Sequence, residues 1–364
     1  MKSLLAILLL ASPVWAQAWT RDADTDRNFV GACAWCDTSA TPNVVYVFGG
    51  SGEGHPQQSK QRNFSQKVAV YARRAGKWSW QDHPTLTSPN LTPSLRFWAE
   101  GRAEYLAAHG TAVCVSGDFY DGVLSSTTKT RVWTFRNGAF SRPKVTGEAP
   151  SDRYYFASAT DGSRFFLFGG VLPSISTKDP TLYILSRVKL GEWRWTRHAP
   201  AGTSPGSLYL PKMVHDGSTL WLFGGQEWRN WGDINRHTYR AVVPTSGPVK
   251  WIRSPLHEDS SNRQWRGAAW YDPTSKMVWR FGAASKFERV EFDALQAATP
   301  IGWQEPVLGA RPGPRFRCQG VWMPSERAAL ILGGWRKDSR YGLFLYNDSW
   351  RFTPSSPTQL PPPR

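Results

Sequence analysis

Residues 44–50 read VVYVFGG, an apolar run that ends in two glycines. The same pattern returns along the whole chain. Its close copies are RFFLFGG at 164–170, TLWLFGG at 219–225 and AALILGG at 328–334, and its weaker copies are TAVCVSG at 111–117 and MVWRFGA at 277–283. Successive copies end 51 to 67 residues apart. A nearly regular period of this length indicates a repeat architecture, so we expect six structural units.

Each unit surrounds its glycines with similar segments. A run of aromatic or small residues precedes them, as at 154–159, and a variable loop follows them. A third run comes next, as at 182–188, and then a short strand that contains Trp. Four short strands joined by turns form one blade of a propeller. We expect the tryptophans of these strands to be buried between blades: Trp78, Trp80, Trp193, Trp195, Trp251 and Trp303.

These units resemble the kelch family. The likeness rests on the double glycine after a hydrophobic strand, the Tyr or Trp run downstream, the later Trp and the period near 50 residues. The resemblance implies an all-β fold, a six-bladed kelch-type β-propeller. The second and fifth units depart from the pattern at their glycines, which read SG at 116–117 and GA at 282–283.

The two ends of the repeat region complement each other. The last unit lacks a Trp strand and runs instead into a Pro-rich segment, while residues 18–21 near the N-terminus read AWTR, similar to RWTR at 194–197. We therefore expect residues 18–22 to supply the outer strand of the last blade, which closes the ring and removes a free edge. On this interpretation residues 17–353 form the propeller and residues 354–364 a loose tail.

The N-terminus has the pattern of a secretory signal peptide. Lys2 precedes an apolar run at 4–10, Pro13 interrupts it, and residues 14–16 read VWA, a small-x-small cleavage motif. We predict a signal peptide over residues 1–16 and a secreted, periplasmic or extracellular protein. An uncleaved anchor or a buried strand is the alternative, but the run is too short to span a bilayer.

Export makes the cysteines candidates for disulfides. They are Cys33, Cys36, Cys114 and Cys318. Four cysteines allow three pairings, and the sequence does not choose among them. The CxxC spacing of the first two is also compatible with a redox pair or half of a zinc site, yet no second CxxC or paired His follows. We predict no metal site and no cofactor.

The charge of the chain limits its partners. Lys and Arg number 44 against 28 Asp and Glu, a net charge of +16. Consecutive basic residues do not exceed two, as at Arg73-Arg74. Spread-out charge on an exported protein argues against nucleic acid and for an acidic protein or an anionic glycan.

The loops that follow the glycines are candidate binding surfaces. With the strands of a blade labelled a to d from the axis outward, the b–c and d–a loops share one face of the propeller. Two b–c loops combine aromatic and basic residues: Trp228, Arg229, Trp231 and Arg236 in one, and Trp335, Arg336 and Lys337 in the other. These tryptophans enter a polar loop, so we expect exposed binding surface, with burial between blades as the alternative.

Arginines also mark the starts of the innermost strands. They are Arg27, Arg102, Arg153, Arg266, Arg315 and Arg317. The chain enters each innermost strand from a d–a loop, and d–a loops share a face with the b–c loops. These arginines would therefore lie on the b–c loop face, as a broken ring of guanidinium groups around the axis. Arginine suits bidentate contacts to carboxylate, sulfate or phosphate. The alternative is structural, because kelch repeats commonly carry a basic residue here, where it pairs with backbone carbonyls or neighbouring acids.

The sequence contains no recognisable catalytic constellation, and we predict no catalytic residue. The leading hypothesis is a binding module for an acidic glycan or an acidic protein surface through the b–c loop face. The alternative is an exported sugar mutarotase or epimerase of the sialic-acid type. Such an enzyme would hold the sugar carboxylate with an Arg and transfer protons with Glu227 or Glu100. That alternative is a fold-level analogy.

Overall fold

The computed structural model describes most of the repeat region. The described residues are 18–22, 24–25, 29–50, 68–83, 101–115, 129–171, 179–227, 235–257, 267–284, 291–299, 302–304, 311–338 and 342–354. The predicted signal peptide, residues 1–16, lies outside them, as does the predicted tail beyond residue 354. Within these ranges the regular structure is all β apart from short 3-10 turns at Ala107–His109 and Pro324–Glu326.

Within the described residues, the strands form six sheets of four or five strands each and one two-stranded ribbon. Sheets 1 to 3 are antiparallel meanders along the chain. Sheet 1 contains β2 (Cys33–Asp37), β3 (Val44–Phe48), β4 (Val68–Arg74) and β5 (Lys77–Asp82); sheet 2 contains β6 (Arg102–Leu106), β7 (Thr111–Val115), β8 (Val132–Arg136) and β9 (Ala139–Ser141); sheet 3 contains β11 (Ala157–Thr160), β12 (Arg164–Phe168), β13 (Leu182–Lys189) and β14 (Glu192–His198).

Sheets 4 to 6 repeat this arrangement, except that sheet 6 takes its outer strand from the N-terminus. Sheet 4 contains β16 (Leu208–His215), β17 (Thr219–Glu227), β18 (His237–Val242) and β19 (Val249–His257); sheet 5 contains β20 (Ala268–Asp272), β21 (Met277–Ala284), β22 (Glu291–Thr299) and β23 (Gly302–Gln304); sheet 6 contains β24 (Gln319–Met323), β25 (Ala328–Leu332), β28 (Ser349–Thr353) and β1 (Ala18–Arg21).

Four further short strands lie outside the meanders. β10 (Lys144–Gly147) adds to sheet 3 parallel to β14, and β15 (Pro200–Gly202) adds to sheet 4 parallel to β19. In each case the connection between two sheets covers the outer edge of the second one, which protects that edge from pairing with another chain. β26 (Trp335–Asp338) and β27 (Gly342–Leu345) form a two-stranded ribbon in the b–c segment of sheet 6.

The first strand of every sheet lies nearest the axis. β2 packs against β6, β6 against β11, β11 against β16, β16 against β20, β20 against β24, and β24 against β2. The apolar core lies between neighbouring sheets in separate clusters, for example one that joins sheets 3 and 4. This is the architecture of an all-β propeller.

The tryptophans of the outer strands fill these interfaces. Trp78, Trp193, Trp195 and Trp251 are buried, as predicted, and Trp80 is partly buried. Indole rings bury a large apolar area, so they are suited to filling the wedge-shaped space between two twisted sheets. The side chain of Trp303 lies outside the described residues.

The N-terminal strand joins the last sheet. β1 pairs antiparallel with β28, with Ala18 opposite Thr353 and Arg21 opposite Trp350. Directly after β1, the Asp22 carboxylate accepts hydrogen bonds from Arg351 Nε and Nη2 at 2.7 and 2.9 Å. The hydroxyl of Tyr71 in sheet 1 also donates to Asp22. The segment is therefore bonded to both sheet 6 and sheet 1.

The paired glycines follow the second strand of a sheet and lie in close contact with the backbone that leads into its first strand. Gly170 has a φ of +100°, and a Cβ there would lie 2.9 Å from the carbonyl oxygen of Tyr154. Gly334 has a φ of +94°, and its Cβ would lie 2.5 Å from the carbonyl oxygen of Phe316. A larger residue would be strained both by the positive φ and by the short contact of its Cβ, which explains why the repeat keeps glycine here.

All four cysteines are buried and none is joined in a disulfide, so the predicted disulfides are not present in this structure. Cys36 lies in the cluster between sheets 6 and 1, and Cys318 in the cluster between sheets 5 and 6. Only Cys33 and Cys114 share a cluster, between sheets 1 and 2. Burial raises the pKa of the Cys114 thiol, and the nearby Cys33 raises it further.

Among the described residues, no helix has the length and apolarity needed to cross a membrane.

Candidate functional site

A cavity of about 510 Å³ lies on the axis of the molecule. All six inner strands contribute to its wall. Many of the lining residues are small: Ala34, Ala157, Ala159, Ala268, Ala269 and Gly320. Because these side chains occupy little volume, the inner strands leave space between them. The size falls within the range of small-molecule sites in proteins.

One end of the cavity is formed by the starts of the inner strands, and we call it the strand-start end. Arg102, Lys212 and Gln319 line it. Each pairs with the residue just before the glycine position of its sheet, Val115, Phe223 or Leu332. The shared register places the three side chains at one level, and the two cations make this end basic.

The other end is formed by the last residues of the inner strands and by the a–b turns, and we call it the turn end. It is lined by Thr38, Tyr105, Thr160, His215, Tyr271, Pro273, Trp322 and Pro324. Burial lowers the pKa of His215, and the nearby Asp161 and Asp216 oppose that effect. The imidazole is therefore mostly neutral at pH 7, and the turn end is largely aromatic.

Glu104 lies inside this cavity, two residues after Arg102 on β6. Ser158, on the neighbouring β11, donates a hydrogen bond from Oγ to Glu104 Oε1 at 2.6 Å. Burial raises the pKa of Glu104 to about 7, while the Ser158 hydrogen bond and the Arg102 charge both act to lower it. A carboxyl that changes charge near neutrality inside a cavity is a candidate functional group.

The sequence prediction did not include Glu104. The available signal was the alternation of residues 102–105, RAEY, in which two charged side chains point to the same side of an inner strand. The partner Ser158 comes from another sheet, and the sequence alone does not bring the two together.

Arg153, predicted to contact a ligand, is fully buried instead. Its Nη2 lies 2.8 Å from Asp179 Oδ2, and its Nη1 donates to the carbonyl oxygen of Gly169 at 3.2 Å. The guanidinium also lies over the ring of Tyr183, 5.2 Å from its centre. With no exposed surface and its donors used internally, Arg153 has a structural role, and its assignment to the binding site was wrong.

Arg315 repeats this arrangement in sheet 6. It is fully buried, donates to Asp348 Oδ1 at 2.6 Å and to Asp348 Oδ2 at 3.1 Å, and bonds the carbonyl oxygen of Gly333. Its guanidinium carbon lies 4.0 Å from the centre of the Tyr346 ring. In both sheets the arginine joins the glycine turn to the acidic residue that follows the b–c loop. The structural alternative therefore holds for these two arginines.

Arg317 differs from them and reaches across the axis. Its Nη2 donates to the hydroxyl of Tyr155, and its guanidinium carbon lies 4.9 Å from the centre of the Tyr155 ring. Tyr155 precedes sheet 3 whereas Arg317 precedes sheet 6, so the pair joins opposite sides of the molecule. Both residues have positive φ, +61° and +52°. Positive φ in non-glycine residues costs free energy and is frequent at functional sites.

A backbone contact brings Arg317 close to the ribbon in the b–c segment of sheet 6. Phe316 N donates to Trp335 O at 2.7 Å, and Trp335 N donates to Phe316 O at 2.9 Å. The two rings lie 4.6 Å apart. Trp335 and the following Arg336 are both partly exposed. Three of the predicted binding residues from two separate segments are thus neighbours: Arg317, Trp335 and Arg336.

Of the other predicted residues, Arg236 is exposed just before β18. The neighbouring Asn235 holds this position, since its Nδ2 donates to the carbonyl oxygen of Gly224 at 3.0 Å. Lys337 lies on β26, but its side chain is outside the described residues. Four predicted residues lie outside the described ranges altogether: Trp228, Arg229, Trp231 and Arg266.

Neither of the two acids proposed for a mutarotase is among the described residues that line the cavity. Glu227 is exposed at the end of β17, and Glu100 is outside the described residues. Within the part of the chain that the structure describes, no group of three or more His, Cys, Asp or Glu side chains is arranged to hold a metal ion.

Comparisons with known proteins point to the fold. No family model matches the chain. Over 217 residues the chain is 24% identical to kelch domain-containing protein 2 from Bos taurus. The aligned region covers 56% of this chain and 50% of that protein. The chain thus spans about half the length of the curated relative it matches. The solved structure of YjhT matches with a TM-score of 0.61 and 13% sequence identity, over 90% of this chain and 95% of that one. Together the likenesses support a β-propeller of the kelch type.

Proposed function

We propose that this chain is a closed, six-bladed kelch-type propeller that binds an acidic glycan or an acidic protein surface on one face. That face, which we call the basic face, carries Arg236, Arg317 and Arg336. The six sheets and the successive packing of their inner strands support the ring. The pairing of β1 with β28 supports closure in the last blade.

The observation that carries the proposal is the meeting of Arg317, Trp335 and Arg336 through the Phe316–Trp335 contact. The partly exposed Trp335 offers a stacking surface, and the two arginines on the adjoining segments offer bidentate donors. Carboxylate and sulfate groups of an acidic polymer match these donors. The predicted residues of the neighbouring loops, among them Arg229, Lys337 and Arg266, would extend this surface.

The overall charge agrees with an anionic partner. A net charge of +16 attracts polyanions from solution and accelerates their association. We propose a location in the periplasm or outside the cell, on the pattern of residues 1–16. This location favours a glycan or another exported protein over nucleic acid as the partner.

A charge-reversal triple tests the proposal. Arg229→Glu, Arg336→Glu and Lys337→Glu together should abolish retention on heparin resin at physiological salt, because six units of charge are changed on the proposed surface. The matched control is the triple Arg73→Glu, Arg74→Glu and Lys77→Glu. These residues are exposed at the c–d turn of sheet 1, on the opposite face of the propeller.

The control triple changes the total charge equally, so a general effect of charge would weaken both proteins alike. Strong retention of the first triple, or equal loss in both, would remove the basic face as the binding surface. Circular dichroism and thermal unfolding would establish that both triples keep the fold.

A sugar mutarotase is the second candidate, and one observation favours it. Arg102 and Glu104 lie on one strand inside the cavity, where an arginine could hold a sugar carboxylate and a carboxyl with a pKa of about 7 could transfer a proton. Anomer exchange of N-acetylneuraminate, followed by NMR with the purified protein, tests this activity. Acceleration that Glu104→Gln removes would support the enzyme; exchange at the uncatalysed rate would exclude it.

A further inference from the structure

The cavity contains two basic side chains and one carboxyl that are not part of the basic face. Arg102 and Lys212 stand at its strand-start end, and Glu104 lies further along the wall. Arg317 and Tyr155 lie beyond this end, outside the cavity lining. A ligand in the cavity would therefore occupy a site distinct from the surface of Arg317, Trp335 and Arg336.

Glu104 has fewer hydrogen-bond donors and cations around it than a buried ionised carboxylate requires. Ser158 donates to its Oε1, and among the described residues no Lys, Arg or His nitrogen forms an ion pair with it and no donor bonds its second oxygen. A buried carboxylate without an ion pair is costly, so the neutral form is favoured. A neutral carboxyl has an O–H that can donate to a ligand, which an ionised one lacks.

We propose that the cavity binds a small organic carboxylate, with Arg102 and Lys212 holding its negative charge and a protonated Glu104 donating a hydrogen bond to it, so that binding takes up one proton. The anion and an ionised Glu104 would repel each other inside the same cavity. The proton bound by Glu104 removes that repulsion and leaves the two cations matched to the ligand. No covalent step is involved.

The other groups around Glu104 do not replace it in this role. The titratable and charged side chains on the strands around it are Arg102 and Tyr105 on β6, Cys114 on β7, Arg164 on β12, Cys33, Cys36 and Asp37 on β2, Lys212 and His215 on β16, and Tyr271 and Asp272 on β20. Arg164 is paired with Asp161 at 2.7 Å. Burial raises the pKa of Cys36 and of Tyr271, so neither ionises near neutrality. Burial lowers the pKa of His215 from its usual value, whereas it raises the pKa of Glu104 to about 7.

Isothermal titration calorimetry tests the proposal with D-glucuronate and N-acetylneuraminate as probes and D-glucose as the uncharged control. At pH 8 we expect nearly one proton taken up per carboxylate bound, seen as different heats in phosphate and Tris buffers. At pH 5.5 uptake should be near zero, because Glu104 is already protonated. Affinity should fall about tenfold between pH 7 and pH 8.5.

Two variants sharpen the result. Glu104→Gln keeps a neutral side chain and an acceptor for Ser158, so it should bind with an affinity independent of pH and with no proton uptake. Arg102→Gln should weaken binding at every pH. The triple Arg229→Glu, Arg336→Glu and Lys337→Glu should bind both probes as the unaltered protein does, because we assign those residues to the basic face and not to the cavity.

The possible outcomes separate this inference from the proposed function. Retention on heparin without measurable binding of either carboxylate would overturn the cavity site and leave the basic face intact. Binding with no proton uptake at pH 8 would overturn the role of Glu104. Proton-linked binding in a protein that heparin does not retain would support the cavity site and remove the basic face. If Glu104→Gln does not fold, the buffer dependence of the unaltered protein decides alone.

Discussion

Arg153 and Arg102 both stand at the start of an inner strand, yet the protein uses them in opposite ways. Arg153 precedes the first residue of β11 by four positions and is fully buried against Asp179. Arg102 is itself the first residue of β6, is partly exposed and lines the cavity. An arginine thus stabilises the fold through a buried ion pair in one sheet and lines the cavity in another.

The position along the strand accounts for the difference. Arg315 occupies the same place as Arg153, four residues before its strand, and is buried against Asp348 in the same manner. Arg317, two residues before the same strand, reaches over the axis to Tyr155. A shift of two or four residues along the entering chain therefore moves a guanidinium from the interface to the axis and then into the cavity. Proximity to a repeat motif does not identify a ligand-binding arginine unless its register is known.

The largest effect is expected from removing a buried arginine. Arg315→Gln should lower the free energy of unfolding by about 3–5 kcal/mol, because it leaves the Asp348 carboxylate without its ion pair. Urea denaturation measures the change. Arg236→Gln is the matched control, since Arg236 is exposed, and it should change stability by less than about 0.5 kcal/mol. Equal and small effects in both variants would contradict the distinction between the two groups of arginines.

The buried Arg–Asp pairs should also affect how the stability of the fold changes at low pH. Burial acts to raise the pKa of Asp348, but the hydrogen bonds and charge of Arg315 outweigh it and hold the pKa below its usual value. The stabilisation is therefore complete above about pH 4 and is lost as the pH falls below that. Arg315→Gln should show a shallower loss of stability between pH 5 and pH 2. Denaturation midpoints across this range test the expectation, and parallel curves would refute it.

Glu104 should have the opposite dependence on pH. Its pKa is raised to about 7 in the folded protein, so folding is penalised increasingly as the pH rises from about 4.5 to 7. Glu104→Gln removes this penalty and should be more stable than the unaltered protein at pH 8 by about 2 kcal/mol, a value that allows for screening by solvent. Near pH 4 the two should be equal. A variant that is less stable at pH 8 would show that Glu104 is ionised and well bound in the folded state.

The smallest effect concerns the bridge across the axis. Tyr155→Phe removes the hydroxyl that accepts from Arg317 but keeps the ring under the guanidinium. We expect a loss of about 1 kcal/mol, the usual net value of one hydrogen bond. Because one guanidinium donor loses its Tyr155 acceptor and can bond an anion instead, heparin should be retained at least as strongly. Loss of retention would indicate that Tyr155 holds Arg317 in its binding orientation.

Sequence reasoning located part of the candidate site. Arg317, Trp335 and Arg336 were predicted from their place after or before glycine turns, and the structure makes them neighbours. Arg153 was misassigned, because its partner Asp179 lies 26 residues away across a variable loop. Glu104 was missed, because its burial and its bond to Ser158 depend on how two sheets pack.

The amino-acid sequence by itself determined the repeating strand pattern, the glycines that end each second strand and the N-terminal segment that resembles an outer strand. These features are local, since a turn with positive φ needs glycine and an alternating apolar run forms a strand wherever it lies in the chain. Only the tertiary structure decided which arginines are buried and which are open, and which carboxyl faces the axis. Those outcomes depend on the register of each strand against its neighbour, where a displacement of a few ångströms replaces an aspartate partner with the open space of the cavity.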